Sequence, residues 1–175
     1  MSNQRFISTV AGTLDGKGRV CIPASWRQIL SAQNTAGVYV CPNLEGGSLD
    51  GFGQSLMDAE CERLDSLDPL LSTLHDDLAT HITAESMLLP IDENGRIRLP
   101  DDFIQAAGLK DKVVFVGLGR KFQIWDPVAY APVKAKRLAG ALAERAARGA
   151  KEEAAREGAG APPTVQPTPQ QIGTP

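Results

Sequence analysis

The same ten-residue phrase occurs twice in this chain. LDGKGRVCIP runs from Leu14 to Pro23 and IDENGRIRLP from Ile91 to Pro100, at one constant offset (92 − 15 = 77). Asp15 aligns with Asp92, Gly18 with Gly95, Arg19 with Arg96 and Pro23 with Pro100. A repeat at this period signals one supersecondary unit built twice. In a chain of 175 residues each half is short, so a stable core needs both halves together.

The likeness extends beyond the phrase. Asp15-Gly16-Lys17-Gly18 and Asp92-Glu93-Asn94-Gly95 are dense in turn formers, because glycine reaches positive φ without steric cost. Extended runs resume at Val20–Ile22 and Ile97–Leu99, and each stops at a proline, which removes a ladder donor. A short helix is predicted after each, over Ala24–Leu30 and Asp101–Ala107, the second ending at Gly108. Val38–Cys41 then matches Val113–Val116, and Ser48–Phe52 matches Phe122–Trp125 as strands. The repeated unit is therefore strand, turn, strand, helix, hairpin. Its expected extents are 5–54 and 83–127.

Between the copies, 55–82 reads as an acidic helical insert. Leu56–Leu67 carries a partly apolar stripe, and Pro69–Ala79 a stronger one of Leu70, Leu71, Leu74 and Leu78. Asp126-Pro127 is a helix start, with a capping residue and then proline in the first turn. An alanine-rich helix is expected over 128–157, with room for a kink at Pro132 and a thin apolar face. The stretch 158–175, rich in Pro, Gly, Thr and Gln, is expected to be disordered.

The net charge is −3, which argues against a generic polyanion binder, yet the charge is unevenly placed. Up to Leu30, Arg5, Lys17, Arg19 and Arg27 face Asp15 alone. From Glu45 to Glu93 only Arg63 is basic, and from Asn94 to Arg137 basic residues again prevail. Both phrases thus lie in or beside basic segments, and it is the local field that steers a polyanion. A glycine hairpin bearing one arginine is a rigid presenter, so little entropy is lost on binding. The planar guanidinium matches a guanine edge or a phosphate. Asp15 and Asp92, four residues before the arginines, are placed to accept from turn amides or to orient the guanidinium. Strand alternation sets Arg19 on one face with Cys21, and Arg96 with Arg98, while Val20, Ile22, Ile97 and Leu99 point inward. The second copy gains Arg98 but has Asn94 where the first has Lys17, so unequal contributions are expected.

Two copies of an (L/I)-D-x-x-G-R-x-x-(I/L)-P phrase, each followed by helix and hairpin, resemble the MraZ family, a branch of the AbrB/SpoVT swapped-hairpin barrels. The resemblance covers roughly Arg5 to Ala129. It implies an α+β fold, a duplicated AbrB/SpoVT-like swapped-hairpin β-barrel. It also implies a sequence-specific regulator, usually a repressor, of the division and cell wall gene cluster. Such a protein binds short direct repeats of double-stranded DNA upstream of its own operon and assembles into a homo-oligomeric ring. The family's Asp and Arg fall on Asp15 and Arg19 and on Asp92 and Arg96, and its lysine on Lys17. Arg98 joins these as a DNA-binding candidate from strand alternation, and Gly18 and Gly95 support the turns.

Two other readings remain: an oligomeric protein-interaction scaffold and an AbrB-type antitoxin. An enzyme is not expected, since no nucleophile–base pair emerges. No cofactor or metal is expected either, because His75 and His81, six apart, do not share a helical face. Trp26 and Trp125 read as core or subunit-contact anchors. Cys21, Cys41 and Cys61, without CxxC spacing, suggest a reducing compartment. No apolar run approaches the ~20 residues of a membrane span. A cytoplasmic, nucleoid-associated protein is the expectation.

Overall fold

A computed structural model describes residues 5–35, 37–70 and 72–158. Apart from Gly158, the segment expected to be disordered lies outside the described residues. The fold is α+β. In chain order the elements are β1 (Thr9–Thr13), β2 (Arg19–Cys21), α1 (Ala24–Ser31), β3 (Gly37–Pro42), β4 (Ser48–Phe52), α2 (Gln54–Asp65) and α3 (Thr73–Ala79). A π-helical turn (Thr80–Ala84) leads on to β5 (Met87–Pro90), β6 (Arg96–Arg98), α4 (Asp101–Ala106), β7 (Lys112–Gly117), β8 (Lys121–Trp125) and α5 (Pro127–Gly158). The chain divides into two compact units, 1–132 and 133–175.

In the first unit the copies exchange strands. A six-stranded antiparallel sheet runs β1-β7-β8-β4-β3-β5, and β2 and β6 form a separate ribbon. Thus β1 pairs with β7, β5 with β3, and β2 with β6, each strand of one copy against a strand of the other. Equivalent residues meet at two places. Val20 opposes Ile97, its counterpart in the repeat. Asp50 opposes Gln123, each the middle residue of its strand. The copies are therefore related by a local two-fold through these contacts.

This exchange explains why neither half holds a core of its own. Val20, Ile22, Ile97 and Leu99 are at most 1% exposed and pack in one cluster with Trp26, Leu30, Phe103, Phe115 and Phe122. Trp26 is a core anchor, edge-on to Phe6 at 5.5 Å, with its indole N–H donating to the Ile7 carbonyl. At the other end of the local two-fold the buried Asp50 accepts from Gln123 Nε2 (2.9 Å), Asn43 Nδ2 (2.9 Å) and Lys121 Nζ (3.0 Å). Trp125 Nε1 in turn donates to Gln123 Oε1. A buried carboxylate needs such partners, because desolvation is costly unless its lone pairs are satisfied.

The insert departs from expectation. Its second helix starts at Thr73 and not at Pro69, where Ser72 caps it by accepting from His75 N–H. Leu70 lies outside that helix and is 90% exposed, and Leu74 and Leu78 are also exposed. Leu71 lies outside the described residues. The leucine period defines a helical face but not what it meets, and here the described leucines meet solvent. The first insert helix does pack: Met57 is buried against Cys41 and Phe52, with Leu56 and Cys61 beside them. α5 is capped by Asp126, which accepts from Val128 and Ala129 N–H, and it continues through Pro132. In the second unit the described side chains of residues 134–156 are all exposed.

Candidate nucleic-acid interface

Each phrase folds into a turn closed by its aspartate. The Asp15 backbone N–H donates to Arg19 O and Gly18 N–H to Asp15 O. Gly18 sits at φ 72°, the left-handed region that favours glycine. Asp15 Oδ1 accepts from Lys17 and Arg19 N–H, both at 2.9 Å, and Oδ2 accepts from Arg19 Nε at 2.8 Å. The second turn repeats the arrangement, with Gly95 at φ 76°. Asp92 Oδ1 accepts from Asn94 and Arg96 N–H, and Oδ2 from Arg96 Nε at 3.0 Å. One carboxylate thus satisfies two turn amides and fixes the guanidinium that follows.

The charge follows from this geometry. The Arg19 side chain, then its backbone N–H, hold the Asp15 carboxyl at about 2, below its ordinary 3.8. Asp92 is also lowered, with the Arg96 backbone N–H as the largest cause. Both carboxylates are charged at neutral pH. Both arginines are half-buried, with 30% and 32% of their side chains exposed, so each is held and still presents an outer edge.

Pairing of β2 with β6 joins the two turns. Arg19 opposes Arg98, and Cys21 opposes Arg96. With Val20 and Ile97 buried beneath, Arg19, Cys21, Arg96 and Arg98 share the outer face of one ribbon. Arg98 thus shares the outer face with Arg96, as strand alternation predicts, and also lies opposite Arg19 across the ribbon. Lys17 and Arg98 are exposed, and among the described residues neither forms an ion pair. Arg19 and Arg98 set two positive charges opposite each other on the ribbon, with the Asp15 carboxylate beside the first.

A further basic residue was visible in the sequence only as local charge. Arg27, on α1 of the first copy, lies over the second turn: a Cβ on Gly95 would come 2.5 Å from Arg27 Nη1 and 2.6 Å from its Cζ. The equivalent residue of the second copy, Ile104 on α4, also reaches the other copy's glycine, but less closely: a Cβ on Gly18 would lie 3.3 Å from Ile104 Cδ1, with the Leu99 carbonyl oxygen nearer at 3.1 Å. The signal was the shared position, four residues after Pro23 and Pro100. An open concavity on α1 is lined by Ala24, Arg27, Gln28, Ser31 and Ala32. Among the described residues no group of three or more His, Cys, Asp or Glu side chains is arranged to hold a metal ion. No helix of the described residues is long and apolar enough to cross a membrane.

Comparison with known proteins gives one family. Residues 83–152 match the family model described as "MraZ protein, putative antitoxin-like". The chain is similar to the protein named "Transcriptional regulator MraZ" of Parvibaculum lavamentivorans, 44% identical over 127 residues, which span 72% of this chain and 78% of that one. The proteins of the same name from Azorhizobium caulinodans and Xanthobacter autotrophicus are 42% and 38% identical over 123 and 148 residues. Those alignments span 70% and 81% of this chain, and 78% and 94% of the relatives.

Proposed function

The chain belongs to the MraZ family, and from that premise we propose that it is a transcriptional regulator that binds double-stranded DNA through the β2–β6 ribbon. One observation carries the reading: two carboxylate-held arginines, one from each copy, lie on a single exposed face with Arg98 opposite the first of them. An arginine whose Nε is already bound keeps outer N–H groups for a base edge or a phosphate. Arg19 and Arg96 are the readers in this proposal. Lys17 and Arg98 supply phosphate attraction, Asp15 and Asp92 orient the readers, and Gly18 and Gly95 shape the turns.

The strand exchange between copies supports reading the first unit as an AbrB/SpoVT swapped-hairpin barrel built twice in one chain. The family resemblance supports the finer parts. The target is a set of direct repeats in the promoter of the division and cell wall gene cluster, and the sense is repression. The active form is a homo-oligomeric ring associated with the nucleoid. A ring would present many ribbons to one DNA, so weak single contacts gain by avidity.

The test is retardation of a labelled duplex from the promoter upstream of the protein's own gene, over a salt series. Retardation that weakens linearly on a log–log plot against salt supports the reading, because phosphate neutralisation releases counterions. No retardation at low salt, with an assembly still present by light scattering, would instead favour the interaction scaffold.

A further inference from the structure

Resting on the reading of the ribbon as a DNA surface, we propose that Arg27 is a phosphate-contacting residue of the second hairpin, delivered to it by the first copy. The outer face of α1 is then a second docking subsite, for the DNA backbone.

The repeat supplies its own control. A residue is needed at this place to cover the glycine turn of the other copy, and in the second copy Ile104 does so without charge. Packing alone therefore does not call for a guanidinium over Gly95. Arg27 is also electrically unsatisfied. Its Nε is buried and has no hydrogen-bond partner among the described residues, and none of their carboxylates forms an ion pair with it. Asp15 and Asp92 compensate Arg19 and Arg96, whereas among the described residues Arg27 has no such carboxylate.

The surroundings fit an arriving phosphodiester. Ala24, Ser31 and Ala32 are small, so a backbone can approach closely, and Gln28 and Ser31 bring neutral donors to the same concavity. None of the described lining residues is acidic. Each hairpin then draws one cation from the other copy. The first takes Arg98 across the ribbon, and the second takes Arg27 from the helix.

The experiment titrates a fluorescein-labelled promoter duplex with the full chain, with Arg27→Ile and with Arg96→Ala, at several salt concentrations. Arg27→Ile installs the side chain that the equivalent site already uses, so the turn stays covered. It should weaken binding about ten-fold, as expected for one lost charge-assisted contact. It should also reduce the salt slope by about one, with an unchanged melting temperature. If Arg27→Ile binds like the parent with the parent's slope while Arg96→Ala is weakened, this inference falls and the DNA reading stands. If neither variant is weakened, both fall. Should Arg27→Ile not fold, Gln28→Glu places a negative charge in the same concavity without touching Gly95. Weaker binding by that variant supports the subsite, and parental binding overturns it.

Discussion

In the first hairpin Asp15 Oδ2 holds Arg19 through Nε at 2.8 Å and Nη2 at 2.7 Å, whereas in the second Asp92 reaches Arg96 through Nε at 3.0 Å. The first turn carries Lys17 and faces Arg98; the second carries Glu93 and Asn94 and faces Cys21. The carboxylate clamp is common to both, and in each it accepts from two turn amides as well as from the guanidinium. The cations around the clamp differ, because nothing in the hairpin depends on them. Whatever separates the two turns in binding should therefore trace to residues outside the shared pattern, and several of these come from the opposite copy.

The largest effects should come from the clamped arginines. Arg19→Ala and Arg96→Ala are each expected to weaken promoter binding by roughly 10–100-fold, the range of a good bidentate contact. Circular dichroism should remain that of the parent. The Arg96 clamp is the longer of the two, with Nε at 3.0 Å against 2.8 Å for Arg19, so Arg96 is the more available reader and its loss should be the greater; equal losses in anisotropy titrations would break the comparison. Next comes Arg98→Ala, expected to cost several-fold. A double-mutant cycle should couple Arg98 to Arg19, its ribbon partner, more strongly than to Arg96. The reverse ranking would return Arg98 to the second hairpin.

Ile104→Arg sharpens the contrast in the other direction. It gives the first turn the cation that Arg27 gives the second, and should tighten binding about three-fold while lowering the melting temperature slightly, because Ile104 packs against the core. The smallest effect should be acid sensitivity. The Asp15 carboxyl is depressed in the folded chain, so its contribution is present above 3.8 and lost as pH falls toward about 2. Asp92 shifts in the same direction. Thermal melts in acid should show a shallow decline that Asp15→Asn reduces, modest because the pair is solvent-exposed. A steep decline left intact in that variant would place the acid-sensitive group elsewhere.

Much of the geometry of the candidate interface is legible in the sequence. Glycine, aspartate and arginine at fixed spacing specify a turn with one closing carboxylate, and strand alternation placed Val20, Ile22, Ile97 and Leu99 inward, where they are buried. These are short-range facts, and a sequence records them. Pairing is not short-range. Strand alternation puts Arg98 on the face of Arg96, which holds, but nothing near Arg98 announces that β6 lies against β2 and sets it opposite Arg19. Arg27 was missed for the same reason, since its contact is Gly95, in the other copy. The insert shows the converse error. Leu70, Leu74 and Leu78 were read as one stripe, but Leu70 precedes the helix that carries the other two, and all three are exposed.

The contact between Asp50 and Gln123 has a consequence for how such a chain can be divided. Were the first half to associate with a second first half, Asp50 would confront Asp50 across the same gap. Ser48 would stand where Lys121 now supplies positive charge. Two carboxylates so close cannot both stay ionised. Fusion into one polypeptide removes that constraint, by letting an acceptor on one side find a donor on the other. Severing the chain between the halves should therefore yield fragments that pair with each other more readily than with themselves.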